Sequence, residues 1–215
     1  PQDILNDSWT VEGWFKTTAP GLIVGREAGT ADDDQTIYNY RLAVGAGGTV
    51  EGTFDVQDPI ETDQGCAVGW GTISLVDADT VFDDEWHHAA LTFESPGGNS
   101  GVARLYVDGQ LVAAVNLPLS TDEIAWHLAP TENTVSDYCP GPAHARATGD
   151  GLLVVGEELS GFVDEIAVHS VALSPIQVAE GWDQILGIGE FPNLVALFNF
   201  DDVEIATPQT VPDRS

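Results

Sequence analysis

Apolar and polar residues alternate along much of this chain, and the alternation has period two. In SWTVEGWFKT (8–17), Trp9, Val11 and Gly13 fall on one side, and Thr10, Glu12, Trp14 and Lys16 on the other. RLYVDGQLVAAV reads as two strands joined at Asp108-Gly109, because both central positions of a type I′ turn need positive φ. Further strands are predicted at 21–26, 37–45, 49–55, 70–76, 86–93, 152–155, 161–169 and 194–200. Many short strands punctuated by glycine and proline predict an all-β, two-sheet antiparallel sandwich. The spacing changes once. Ser174-Pro175 offers an N-cap with proline at N1, and Ile176, Val178, Ala179, Trp182, Ile185 and Leu186 follow at helical spacing. This predicts one short C-terminal helix near 174–186, ended by Gly187 and Gly189. No tandem repeat interrupts the pattern.

The stretch DEWHHAALTF (84–93) sets two histidines side by side. Period two places Trp86, His88, Ala90 and Thr92 on one face and His87, Ala89, Leu91 and Phe93 on the other. Adjacent histidines therefore point apart and do not chelate one metal together, and no third ligand is evident.

Four segments resemble the bacterial and archaeal laminin G-like domains, within the concanavalin A-like lectin/glucanase and pentraxin superfamily. They are SWTVEGWFKT (8–17), DDEWHHAALTFE (83–94) with RLYVDGQLVA (104–113), GFVDEIAVHSVALSPIQVAEGW (161–182) and LVALFNFDD (194–202). The resemblance implies a jelly roll, with W-H-H marking the strand that leads into the Y-V-D-G hairpin. It is weakest across 25–80 and 117–150. The order of segments departs from the family pattern, in which a strand like LVALFNFDD, with a turn like DRS (213–215), comes first. Residues 1–190 are accordingly expected to form the laminin G-like sandwich. Residues 191–215 are read as a terminal strand segment that fills the missing slot in cis, fills it in a neighbour (in trans), or opens a following domain. A sandwich without that strand would expose a hydrogen-bonding edge.

Charge narrows the function. There are 35 Asp and Glu against 6 Lys and Arg, a formal net charge of −29. Nucleic acid and anionic membrane are poor partners for such a chain, and divalent cations are good ones. With 43% hydrophobic residues and scattered acids, it reads as a folded acidic protein, and a solvated acidic coat suits a high-salt habitat. No stretch approaches the about 18 apolar residues of a membrane span. Pro1 opens a chain without methionine or a visible signal peptide, so a mature or excised piece of a longer protein is expected. Cys66 and Cys139 lie in GCAVG and DYCPGP rather than in a CxxC pair. They are read as one disulfide tying two loops, in keeping with an extracellular or cell-surface protein, or else as two free thiols.

The carboxylates lack the E-x-D-x-E spacing by which laminarinase-like hydrolases set three acids on one strand face. VDEIAVH (163–169), EGTFD (51–55) and ETD (61–63) do not match it, and no G-x-S-x-G elbow occurs. The chain is therefore read as non-enzymatic, with a glycoside hydrolase as a lesser alternative. Calcium is the expected cofactor, since a hard cation gathers oxygens from sandwich-edge loops. The resemblance points to Asp164 as a metal-proximal aspartate, with Asp201, Asp202 and Asp213 as further candidates. DDD at 32–34 and the group Asp77, Asp79, Asp83 and Asp84 read as solvated decoration. Trp9, Trp14, Trp86 and Trp182 are expected in the core. Trp70, Trp126 and Tyr138 are the candidate glycan-stacking residues, and 125–140, with His127 and nearby His144, is the expected recognition loop. The expectation is a calcium-stabilised adhesion or carbohydrate-binding module of a larger surface or secreted protein, its partner a glycan or a surface protein. The alternative is a structural subunit of an extracellular fibre or layer that self-associates through 191–215.

Overall fold

The computed structural model describes residues 8–30, 36–62, 65–95, 101–117, 125–128, 145–146, 151–183 and 193–200. They form β1 (Trp9–Thr17), β2 (Gly21–Thr30), β3 (Thr36–Val44), β4 (Thr49–Thr62), β5 (Gly65–Thr80), β6 (His87–Glu94), β7 (Gly101–Val107), β8 (Gln110–Leu117), β9 (Ala125–Leu128), β10 (Ala145–Arg146), β11 (Leu153–Val155), β12 (Gly161–His169), helix α1 (Pro175–Gly181) and β13 (Leu194–Phe198). Two antiparallel sheets stack as a jelly-roll sandwich. The first runs β13-β12-β1-β6-β7-β8. The second runs β11-β2-β3-β4-β5-β9, with β10 paired to β4. Among the described residues no helix is long and apolar enough to cross a membrane.

The alternation in β1 sorts its side chains as the sequence predicts. Trp9, Val11 and Phe15 are fully buried between the sheets. The Trp9 indole meets Tyr40, Phe54 and Phe93, with ring centroids 5.4, 5.9 and 6.1 Å away. Gly13 belongs to this inward set, where a Cβ would collide with the Ile166 side chain. The predicted hairpin turn is also present, with φ of 48° at Asp108 and 73° at Gly109. It is docked onto the histidine pair. The His88 N–H donates to Asp108 Oδ1 (2.9 Å), the Asp108 N–H donates to the His88 carbonyl (2.8 Å), and His87 Nδ1 lies 2.8 Å from Asp108 Oδ2. His87 and His88 do face opposite ways. His87 lies beside Phe15, and His88 packs edge-on against Trp14.

The outer face of the first sheet carries a second, smaller core of Ala90, Tyr106, Leu173 and Val178, roofed by α1. Thr10 Oγ1 ties the approach to the helix down by donating to the Val171 carbonyl and accepting from the Leu173 N–H. Ser174 caps the helix reciprocally with Gln177. The helix is shorter than the 174–186 predicted. It ends at Gly181, and Val178 is its buried residue, while Ile176 is 67% exposed. Leu173, just before the cap, supplies the second apolar anchor that the periodicity had assigned to residues further on.

Trp182 follows the helix and lies between Trp14 (5.7 Å between centroids) and the β7–β8 turn. A Cβ at Gly109 would fall 2.7 Å from its Nε1. Trp14 is half-buried on this outer face and Trp86 is 44% exposed, so neither joins the core where the sequence reading put them. The reason is parity. Both share a face with Glu12 and His88, not with Trp9.

The same face buries a polar cluster. Glu12, 5% exposed, has Oε1 2.7 Å from His169 Nε2 and Oε2 3.4 Å from His88 Nε2. Burial raises the Glu12 pKa, but the hydrogen bonds from His169 and His88 outweigh it and hold the carboxyl at about 2.

The displaced segment LVALF forms β13 on the outer edge of β12 in the same chain, with Ile166 opposite Phe198 and Val168 opposite Ala196. Leu197 is buried, and Val195, Ala196, Phe198 and Phe200 pack against the main core.

Candidate functional site

The outer face of the second sheet holds a groove of about 680 Å³, lined by residues of β2, β3, β4 and the turn after β11. Its floor is apolar. Leu22 is 4% exposed yet lies outside the sandwich core, beside the Tyr38 ring. Gly25 makes room for both, since a Cβ there would stand 3.2 Å from Tyr38 Cε1 and 3.3 Å from Leu22 Cδ1. Arg41, Glu51, Glu157 and Glu158 complete the lining.

The far wall is the turn 156–160. Gly156 (φ 71°) and Glu158 (φ 56°) adopt left-handed backbone that reverses the chain between β11 and β12. The turn is bonded to β2 at two points. The Leu22 N–H donates to the Glu157 carbonyl (2.8 Å), and the Gly156 N–H donates to the Ile23 carbonyl (3.1 Å). Gly21 permits this approach, because a Cβ there would sit 2.6 Å from the Leu159 nitrogen and 2.8 Å from the Glu158 carbonyl carbon.

The groove chemistry is a guanidinium among carboxylates. Lys16 and Arg104 are ion-paired, to Asp84 and Glu94. No ion pair joins Arg41 to a carboxylate among the described residues, although 35 acidic residues surround six basic ones in the chain. The Glu51 carboxylate instead folds over Gly45. Arg41 thus offers a fork of donors, the three glutamates offer acceptors, and Tyr38 offers a ring.

The residues singled out from sequence fall elsewhere or outside the described residues. Trp70 stands in β5 opposite His127 of β9, and Trp126 stands in β9 opposite Gly71. Both strands belong to the same sheet as the groove, at its opposite edge. Tyr138, Cys139, His144 and 32–34 lie outside the described residues. Cys66 lies in β5 opposite Glu61, in a strand rather than the loop expected. Asp77 accepts the Asp79 N–H within β5 and is buried rather than solvated, and Asp83 accepts the Glu85 N–H in the turn before β6.

Asp164 sits at a β-bulge where the pairing of β1 with β12 shifts and Glu165 takes φ of 48°. Its Oδ1 accepts the Glu165 N–H (2.8 Å) and the Phe200 N–H (3.3 Å). Among the described residues no group of three His, Cys, Asp or Glu could hold a metal ion, and of the four aspartates named from sequence Asp164 alone lies among them. Asp201, Asp202 and Asp213 lie outside the described residues.

The sequence reading missed Tyr38, Arg41 and Glu51. The available signal was Arg41 itself, one of six cations, placed on the polar side of an otherwise apolar strand, RLAV.

Known proteins place this architecture. No curated protein matches the sequence. A candidate carbohydrate-binding protein from Bacteroides ovatus superposes with a TM-score of 0.53 at 16% identity, covering 100% of this chain and 51% of its own. The chain therefore spans about half the length of that protein. The CBM40 of the Ruminococcus gnavus IT-sialidase, bound to α2,3-sialyllactose, gives 0.45 at 15% identity, with 83% and 84% covered. Domains LG4-5 of the mouse laminin alpha1 chain give 0.40 at 14% identity, with 81% and 38% covered. At such identities the likeness is one of fold. The sequence profile of laminin G type, described as the concanavalin A-like lectin/glucanases superfamily, matches residues 1–179. With most of the chain matched and the sandwich in place, this protein belongs to the concanavalin A-like lectin/glucanases superfamily.

Proposed function

We propose that the domain is a non-catalytic glycan-binding module and that its ligand occupies the groove on the second sheet. One observation carries the reading. Arg41, without a carboxylate partner among the described residues, faces a groove that also holds Tyr38, Glu51, Glu157 and Glu158. Neighbouring sugar hydroxyls both donate and accept, so they suit a guanidinium set among carboxylates, with the Tyr38 ring under the apolar sugar face. The superfamily includes lectins by name, and the Bacteroides ovatus structure is itself a candidate carbohydrate binder.

Arg41→Ala is expected to weaken binding of the best polysaccharide in a calorimetric screen by about tenfold to a hundredfold, the loss of one or two charge-assisted hydrogen bonds. An unchanged Kd would move the ligand out of the groove. The same polysaccharides should release no reducing ends; release would favour the hydrolase alternative, for which the superfamily's glucanases are the precedent.

Calcium is the proposed structural ion, with Asp164 as a ligand together with Asp201 or Asp202, Asp213 and backbone carbonyls. Supporting this, Asp164 binds the Phe200 N–H, one residue before Asp201. Such an ion would rigidify the sandwich edge, and Asp164 would orient it with the oxygen not held by the bulge. Chelator should lower the melting temperature of the wild type by several degrees and leave Asp164→Ala, whatever its own melting temperature, without further response. A wild type indifferent to chelator removes the ion from the account. The setting we infer is a larger secreted or surface protein. Self-association through 191–215 would require β13 to leave β12 of its own chain.

A further inference from the structure

We propose that the outer face of the first sheet carries a second glycan site, in which the Trp86 and Phe162 rings receive the face of an uncharged pyranose and the Lys16–Asp84 ion pair binds its hydroxyls. The two rings lie 6.3 Å apart and are 44% and 64% exposed, the two exposed aromatic side chains among the described residues. Exposing such a pair to water is unfavourable, whereas the sandwich buries Trp9, Phe15, Phe54 and Phe93.

Three elements hold the rings in place. Phe162 is the second residue of β12 and is paired in register with Lys16 of β1. Trp86 ends the turn before β6, which is fixed at several points. Asp83 Oδ1 accepts the Glu85 N–H (3.0 Å) and meets His87 Nε2 (3.1 Å). Asp84 takes φ of 62°, a left-handed conformation that aspartate tolerates better than most residues, and its carboxylate meets Lys16 Nζ at 3.5 Å. A turn pinned on both sides presents the indole in a set orientation, as a stacking ligand requires.

The charges identify the ligand class. Lys16 is matched by Asp84, and His87 stands between Asp83 and Asp108. The platform therefore presents a donor and an acceptor in an acidic surround, where Asp83, Asp84, Glu85 and Asp108 outnumber Lys16 and His87. That suits a neutral polyol and turns away anionic glycans. This site is on the sheet opposite the groove, so the domain would hold two glycan segments on opposite faces.

The test uses calorimetry on the whole chain with soluble β-glucan, galactomannan and xylan as neutral probes and polygalacturonate as the anionic one. Arg41→Ala weakens the groove's contribution, and Trp86→Ala and Phe162→Ala are measured alone and on that background. Trp86→Ala should weaken the residual binding of the neutral probes by about tenfold. Trp86→Phe, which keeps a ring, should restore most of it with an unchanged melting temperature. Residual binding that both ring deletions leave unchanged, or a preference of Arg41→Ala for polygalacturonate, overturns the second site and leaves the groove standing. Binding that ignores Arg41→Ala but falls with Trp86→Ala overturns the groove and keeps the platform. A wild type that binds none of the probes overturns both.

Discussion

Glu12→Ala is expected to cost about 3–5 kcal/mol of stability, the usual range for removing one member of a buried charge-assisted cluster. The carboxylate is the shared partner of His169 and His88, which are 1% and 3% exposed. Alanine leaves both imidazoles in a dry site, with only the small cavity for water. The pH dependence separates charge from packing. In the folded state the Glu12 carboxyl is held at about 2, against 4.5 for the unfolded chain. A carboxyl depressed on folding stabilises fully above its unfolded value and ceases to do so as pH falls through its folded one. The margin of wild type over Glu12→Gln should therefore shrink by roughly 3 kcal/mol as pH falls from about 5 to 2. Subtracting the variant cancels the titration of the other acids. Parallel curves for the two proteins across that range would show that Glu12 is not the charged centre of the cluster.

Gly21→Ala is expected to lower glycan affinity at least tenfold and stability by about 1–3 kcal/mol, the overpacking range. Its Cβ would meet backbone, at Leu159 and Glu158, which a rotamer change does not relieve. The turn 156–160 must shift, loosening the bonds to Leu22 and Ile23 and carrying Glu157 and Glu158 away from Arg41. Gly47→Ala, in the nearby β3–β4 turn, is the control. Its Cβ would approach nothing closer than Thr49 Oγ1 at 4.0 Å. Calorimetric titration beside thermal melts reads both effects. A Gly21→Ala protein that binds like wild type would mean the wall takes no part in recognition.

What could be read in the sequence was what depends on near neighbours. The parity of β1 and of the two histidines, the Asp108-Gly109 turn and the Ser174 cap all follow from backbone periodicity and local hydrogen bonds. The groove and the polar cluster depend on partners that no local window contains. Glu12 meets His169 across 157 residues, and the wall of the groove comes from the far side of the chain. Trp14 and Trp86 show the same limit. Alternation gave them a face, but which face α1 would cover, and how much of it, was decided by a two-turn helix anchored through Leu173 and Val178. Trp70 and Trp126, two of the stacking residues named from sequence, lie in the strands toward the other edge of the sheet from the groove, because a variable, polar, aromatic stretch says nothing of where it will dock.

The position of β1 has a consequence for how the chain is made. It is a central strand, yet one neighbour, β6, starts at His87 and the other, β12, at Gly161, and β12 is itself closed by β13. The hydroxyl of Thr10 waits for the amide of Leu173, 163 residues later. A ribosome releases β1 early, so the nascent polypeptide carries an open, apolar ribbon until nearly the whole domain has emerged. Such non-local pairing folds slowly and waits until β12 and β13 have been made. The net charge of −29 then has a use before there is any native surface to solvate: mutual repulsion keeps unfinished ribbons on neighbouring polysomes from zipping together.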